Sequence, residues 1–128
     1  MKDALHNDKA VSCRNRRQVG AAYEEKAARF LEERGYRILA RNFRTRFAEI
    51  DLVAEADGYL VFIEVKYRSG RGSGLSTEAV TAEKQRRIRS AALVYLALQR
   101  IPEDTPVRFD VVGFDCGRAS LVRDAFAF

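Results

Sequence analysis

The pattern of this 128-residue chain predicts an α/β fold, a mixed sheet flanked by helices in the order α-β-β-β-α-β. Three observations carry that expectation. Tyr23, Ala27, Phe30 and Leu31 fall at i, i+4, i+7 and i+8, one helical stripe. Ala48–Ala54 and Leu60–Lys66 are rich in β-branched and aromatic residues, and Glu55-Ala56-Asp57-Gly58 between them is short enough for a hairpin. Ile88, Ala92, Tyr95 and Leu96 form a second helical stripe, ahead of a last apolar strand.

Residues 1–19 carry Lys2, Lys9, Arg14, Arg16 and Arg17 against Asp3 and Asp8, which is +3 of the chain's net +5. With little apolar content besides Leu5 and Val11, this stretch reads as a basic, disordered tail. Residues 20–128 read as one domain. The first helix is expected from about Val19 to Arg34, with Gly35 as its C-terminal cap. Tyr36–Arg44 follows as a strand with Tyr36, Ile38 and Ala40 facing inward. After the hairpin, Ser69–Ser76 is a loop containing Gly70, Gly72 and Gly74. Thr77 or Thr81 can cap a second helix reaching about Gln99, closed by Pro102 and Pro106. Val107–Phe114 reads as a central strand and Ala119–Arg123 as a short edge strand.

Composition narrows the chemistry. The longest apolar run, Ala91–Leu98, is far below the roughly 20 residues a membrane-spanning helix needs. Two cysteines, Cys13 and Cys116, lie far apart without motif spacing, which suits a reducing cytoplasmic setting. The single histidine, His6, lies in the tail, so neither a Ser-His-Asp nor a Cys-His arrangement can be built. The same scarcity excludes a tetrahedral zinc site. No P-loop or dinucleotide fingerprint is present.

What remains is carboxylate and lysine. Side chains alternate along a strand, so Glu49 and Asp51 share one face of their strand, and Glu64 and Lys66 share one face of theirs. The opposite face is expected to be Ile50, Leu52, Val61, Ile63 and Val65. Holding charge on such a scaffold costs several kcal/mol, on the order expected for buried ions, unless it is paired or bound to a cation. A metal-dependent phosphodiesterase site built for Mg²⁺ or Mn²⁺ would justify it.

Asp51 followed across the hairpin by Glu64-Val65-Lys66 resembles the PD-(D/E)xK nuclease signature. Over Gly20–Phe126 the chain resembles the YraN-like family of small bacterial proteins, related to archaeal Holliday-junction resolvases. The matching segments are Gly20–Ala27, Glu32–Asn42, Glu49-Ile50-Asp51-Leu52, Phe62-Ile63-Glu64-Val65-Lys66, Lys84-Gln85-Arg86-Arg87-Ile88, Arg108-Phe109-Asp110-Val111 and Asp124-Ala125-Phe126. Ala48 and Tyr23 stand where that family commonly has glycine.

The resemblance implies a restriction-endonuclease-like fold and a nuclease activity on nucleic acid, DNA ahead of RNA and branched or structured DNA in particular. It implies a divalent ion on Asp51, Glu64 and the Val65 carbonyl, with Lys66 positioning or deprotonating the attacking water. Glu24 on the first helix and Gln85 on the second would approach the same site, and Glu49 would bind a second ion or support the first. Resolvase relatives work as dimers, so a homodimer is implied as well.

Arg44, Arg46, Arg68, Arg71, Lys84, Arg86 and Arg87 are the candidate phosphate contacts. Plainer readings stand beside these. Asp51, Glu64 and Lys66 would form a cross-strand ion pair, Glu24 would be a solvated helix residue, and Gln85 a surface residue or DNA contact. Glu49 would pair with an arginine, and Asp110, an acid in a central strand, would make a structural bond to a partner. The whole would then be a nucleic-acid-binding module, or an accessory subunit, on a nuclease scaffold without robust catalysis.

Overall fold

A computed structural model describes residues 13–68 and 80–128. Two helices and five strands follow in the order α1 (Cys13–Glu32), β1 (Arg37–Arg44), β2 (Glu49–Ala56), β3 (Tyr59–Arg68), α2 (Ala82–Leu98), β4 (Val107–Asp115) and β5 (Arg118–Phe126). The strands form one mixed sheet in the order β1-β2-β3-β4-β5. Only β3 and β4 run parallel, because α2 carries the chain between them. The α/β expectation with a mixed sheet therefore holds, and the arrangement is consistent with a restriction-endonuclease-like fold.

Local chemistry sets the element ends. At the end of α1, Gly35 adopts φ 91°, and the Tyr36 and Gly35 amides donate to the Leu31 and Glu32 carbonyls at 3.1 Å each. That pair of bonds is the glycine-terminated cap expected at Gly35. The same closure ends α2, where Arg100 takes the left-handed position at φ 53° and Ile101 donates to Leu96. Thr81 caps α2, its Oγ1 accepting from the Lys84 amide at 3.2 Å. Asp57 and Gly58, both at positive φ, make the tight turn between β2 and β3.

Three sequence expectations change. Helix α1 starts at Cys13 and takes in residues 13–19, which were assigned to the basic tail; residues 1–12, with His6, lie outside the described residues. So do the Gly70/Gly72/Gly74 loop and Thr77. Strand β5 runs nine residues, Arg118–Phe126, rather than the short Ala119–Arg123. The Cys116-Gly117 turn, both residues at positive φ, folds it straight back on β4.

The third change concerns the core. Both faces of β2 and β3 are apolar, because α1 covers one and α2 the other. Beneath α1, Ala27, Ala28 and Leu31 pack on Leu52, Ala54, Val61, Ile63 and Val112. Beneath α2, Ile88, Ala91, Ala92 and Tyr95 pack on Ile50, Val53, Leu60, Phe62, Phe109 and Val111. Ile50 and Leu52 therefore belong to different cores. Ile50 and Val53, three residues apart, share the α2 side, as do Ala40 and Phe43 on β1. Strict alternation would separate each pair. The β1–β2 register shifts between Ile38 and Ala40, and Asn42, further along β1, sits at φ 54°.

Asp110, fully buried in β4, has the structural partners its position demands. It accepts from Tyr36 Oη at 2.6 Å, from Arg108 Nε at 3.0 Å and from the Asp124 amide at 2.9 Å. Arg108 is itself buried and also donates to Tyr36 Oη. Burial and the Asp110 carboxylate push the Tyr36 hydroxyl up to about 12. Asp110→Ala strands a buried guanidinium and should cost about 3–5 kcal/mol in urea unfolding. Tyr36→Phe, which leaves the ion pair intact, should cost only about 1–2 kcal/mol. Equal losses would show that the ion pair is not what the network protects.

Candidate metal centre

The ladder between β2 and β3 pairs Ala56 with Tyr59 and continues to Leu52 with Ile63, where it stops. The strands part at Asp51 and Glu64. In place of the missing ladder bond, Asp51 Oδ2 accepts the Val65 amide at 2.8 Å. Strand β2 remains paired to β1 as far as Glu49 with Arg44. One sheet thus holds Glu49, Asp51 and Glu64 on backbone fixed from opposite sides.

Helix α1 adds Glu24, one turn before the buried Ala28 and two before Leu31. One carboxylate oxygen from each of Glu24, Glu49 and Asp51 lies within 4.8 Å of the others. Between two of them stands Asn42. With its amide oriented to satisfy both, its nitrogen donates to Glu24 Oε1 at 2.8 Å and to Glu49 Oε2 at 2.9 Å. Arg44 Nε lies 3.5 Å from the other oxygen of Glu49. Glu64, whose side chain is only 11% exposed, pairs with Lys84 Nζ at 3.2 Å.

The proton affinities follow from this crowding. Asp51 is pushed up to about 8, first by burial and then by the negative charge of Glu64, with the Val65 amide opposing. Burial also raises Glu64, and Lys84 and Lys66 only partly offset it. Glu24 is raised by burial and by Glu49. Carboxylates crowded in this way hold protons more tightly than isolated ones.

A recess of about 300 Å³ opens on this cluster, lined by Phe47, Ala48, Glu49, Asp51, Glu64, Val65, Lys84, Arg87 and Ile88. A smaller one, about 210 Å³, continues from Glu64 past Lys66, Val80, Thr81 and Lys84. Two larger grooves, of about 560 and 590 Å³, include the Asp57-Gly58 turn and Phe128 respectively, and neither gathers three carboxylates at ligand spacing.

Of the residues singled out in the sequence, Glu24, Glu49 and Asp51 converge, with Glu64 and Lys66 beside them. Gln85 goes elsewhere: its Nε2 donates to the Val80 carbonyl at 2.9 Å and its Oε1 accepts from Arg89 at 3.3 Å. The plain reading of Glu49 is met by Arg44 at one oxygen, and the other oxygen faces Asn42. Arg87 pairs with Glu83, Arg46 stands 5.5 Å from the Phe47 ring centroid, and Arg86 is exposed on α2. The Arg68 side chain and Arg71 lie outside the described residues.

Sequence reasoning missed Asn42. The available signal was an asparagine, poor in strands and tolerant of left-handed backbone, inside an otherwise strand-like run.

The uncharacterised protein family UPF0102 matches residues 23–114. This chain belongs to that family. The UPF0102 protein of Lachnoclostridium phytofermentans is 50% identical over 112 residues, covering 88% of this chain and 95% of its own. That of Symbiobacterium thermophilum is 51% identical over 115 residues, covering 86% and 97%. The UPF0102 protein of Acetivibrio thermocellus, 40% identical over 130 residues, covers 94% and 99%. The UPF0102 match agrees with the YraN-like resemblance and runs from just before Glu24 to Phe114, near the end of the parallel β3–β4 pair. Among the described residues, no helix is long and apolar enough to cross a membrane.

The raised Asp51 carboxyl carries a consequence for stability. Its ordinary value is 3.8 and its folded value about 8, so between these the folded chain binds a proton that the unfolded chain has lost. Stability from this group therefore falls as pH rises through that window and levels off above it. Asn at position 51 keeps an acceptor for the Val65 amide and cannot ionise. In chelator, Asp51→Asn should be more stable than wild type by about 1–2 kcal/mol above pH ~8.5, the usual scale for relieving a strained site. The difference should shrink towards pH ~4 in denaturant titrations. A gap that ignores pH would contradict this account.

Proposed function

We propose that this protein is a divalent-metal-dependent nuclease of the PD-(D/E)xK type, hydrolysing phosphodiester bonds in nucleic acid, structured DNA ahead of RNA. The observation that supports this most directly is the convergence of Glu24, Glu49 and Asp51 within 4.8 Å, beside Glu64, where β2 and β3 part. An all-oxygen donor set of this kind suits Mg²⁺ or Mn²⁺ and does not suit zinc. Asp51, Glu64 and the Val65 carbonyl would hold the ion, with Glu24 and Glu49 as further carboxylates. A bound divalent cation polarises a phosphate and lowers the pKa of a coordinated water.

The chain's own residues supply the rest. Lys66 stands two residues beyond Glu64 on the same face of β3, so its ammonium serves the same phosphate. There it orients the attacking water and offsets the charge that develops, or, as the neutral amine, accepts the water's proton. Asp51, held by the Val65 amide, fixes the separation of the strand ends that carry the ligands. Around the recess, Arg44, Arg46, Lys84, Arg86 and Arg87, with Arg68 and Arg71 nearby in sequence, would contact the phosphate backbone. Exposed pairs such as Arg87–Glu83 are worth under about 1 kcal/mol and yield easily to a phosphate. A cytoplasmic setting and a homodimer belong to the same reading.

Calorimetry and a cleavage screen over branched, flapped and single-stranded DNA test it. Wild type should bind Mn²⁺ with proton release near pH 7, because the folded Asp51 carboxyl is largely protonated there. An Asp51→Asn/Glu64→Gln double variant should lose binding by about 100-fold or more. Lys66→Met should keep the metal and lose cleavage by about 100- to 1,000-fold. Metal-independent DNA binding with no cleavage of any substrate would instead assign the protein as a nucleic-acid-binding module.

A further inference from the structure

Among the described residues, Lys84 is the one that lines both recesses together with Glu64. Its Nζ stands 3.2 Å from Glu64 Oε2, yet the two partners are held very differently. Glu64 belongs to the central strand of the sheet, its side chain 11% exposed. Lys84 projects from the first turn of α2 and is 50% exposed. A desolvated carboxylate needs a compensating positive charge, and in the metal-free protein Lys84 provides one. A divalent cation on Glu64 would put two positive charges against the same carboxylate. The strand-borne carboxylate cannot retreat, whereas the lysine, on a flexible four-carbon stem, can.

Where Lys84 goes decides the consequence. An ammonium leaving Glu64 moves towards the open recess, where a nucleic-acid phosphate offers a new anionic partner. We propose that Lys84 is an exchangeable counter-ion: it holds Glu64 in the metal-free protein and passes to a substrate phosphate, so that strand and cation bind with positive coupling. The inference rests on the metal reading above and adds an order to it. A cation alone must displace Lys84 into water; a cation arriving with a strand finds Lys84 already drawn away. The coupling is reciprocal by necessity, since each ligand must improve the affinity of the other by the same factor.

Mn²⁺ calorimetry tests this on wild type, Lys84→Met and Lys84→Arg, with and without a saturating forked DNA whose linkages are phosphorothioate to slow hydrolysis. The forked DNA should tighten Mn²⁺ binding to wild type by about fivefold or more, the lower range of ordinary coupling. Lys84→Met should bind Mn²⁺ alone more tightly than wild type by a similar factor, and the DNA should then add little. Lys84→Arg, which keeps the charge, should restore most of the coupling. A merely structural lysine would give the opposite sign, weaker Mn²⁺ binding in Lys84→Met. Equal Mn²⁺ affinity with and without DNA in wild type would overturn the counter-ion proposal and leave the metal reading standing. No Mn²⁺ binding under any condition would overturn both.

Discussion

Asp51 is asked for two things that oppose each other, and the surrounding structure is arranged to meet both. Its carboxylate replaces a backbone acceptor by taking the Val65 amide at the position where the β2–β3 ladder gives out. That bond favours the ionised form. Its neighbours favour the neutral form, since burial and the charges of Glu64, Glu24 and Glu49 all act in that direction. Those acids come from separate elements, Glu24 from α1, Glu49 from β2 and Glu64 from β3, so no local rearrangement can disperse them. The distortion that admits them is visible at Asn42, a non-glycine residue in left-handed backbone whose amide spans two of the carboxylates.

Asp110 shows what a purely structural buried acid looks like in the same sheet. It meets a guanidinium, a phenol and a backbone amide, all at hydrogen-bond distance. A guanidinium answers its charge, and burial together with that carboxylate raises its partner Tyr36. Asp51 instead meets one backbone amide and the Glu24 carboxyl, and the charges that act on it most are those of acids. Two aspartates in one sheet, one in β2 and one in β4, thus differ by whether the protein supplies the counter-charge. Where it does not, an external cation is the economical source of it, under the metal reading.

Much of this was legible in the sequence, and the limits have physical causes. The hairpin declared itself through Asp57-Gly58 and its flanking apolar runs, the end of α1 through Gly35, and Glu24 through its spacing to Ala28 and Leu31. Strand β5 was underestimated because Ser120, Arg123 and Asp124 dilute its apolar pattern, as an edge strand permits. The start of α1 was placed late because residues 13–18 are polar and basic, and a helix end without apolar positions leaves no periodic signal. Ile50 and Leu52 were assigned to one face because alternation is a rule of regular strands, and the irregularity that separates them coincides with the cluster of carboxylates. Lys84 and Gln85 adjoin in the sequence, and which of them meets Glu64 depends on helix phase, set by the Thr81 cap.

The two charge scales of the molecule then fit together. Overall the chain carries +5, while the recess gathers Glu49, Asp51 and Glu64, with Glu24 beside them. Long-range attraction to a polyanion is governed by the net field and the basic rim, and it falls with salt over a Debye length of about 8–10 Å. Contact at the recess is governed by the local acids, which repel phosphate until their charge is answered. Under the nuclease reading, a nucleic-acid strand would be held near the site by the rim without entering it. Under the nuclease reading this separates residence from chemistry: the scaffold supplies attraction at all times, and the acidic recess admits a phosphate only when a cation is there to meet it. An all-basic site would bind the strand more tightly and would have nothing with which to hold the ion.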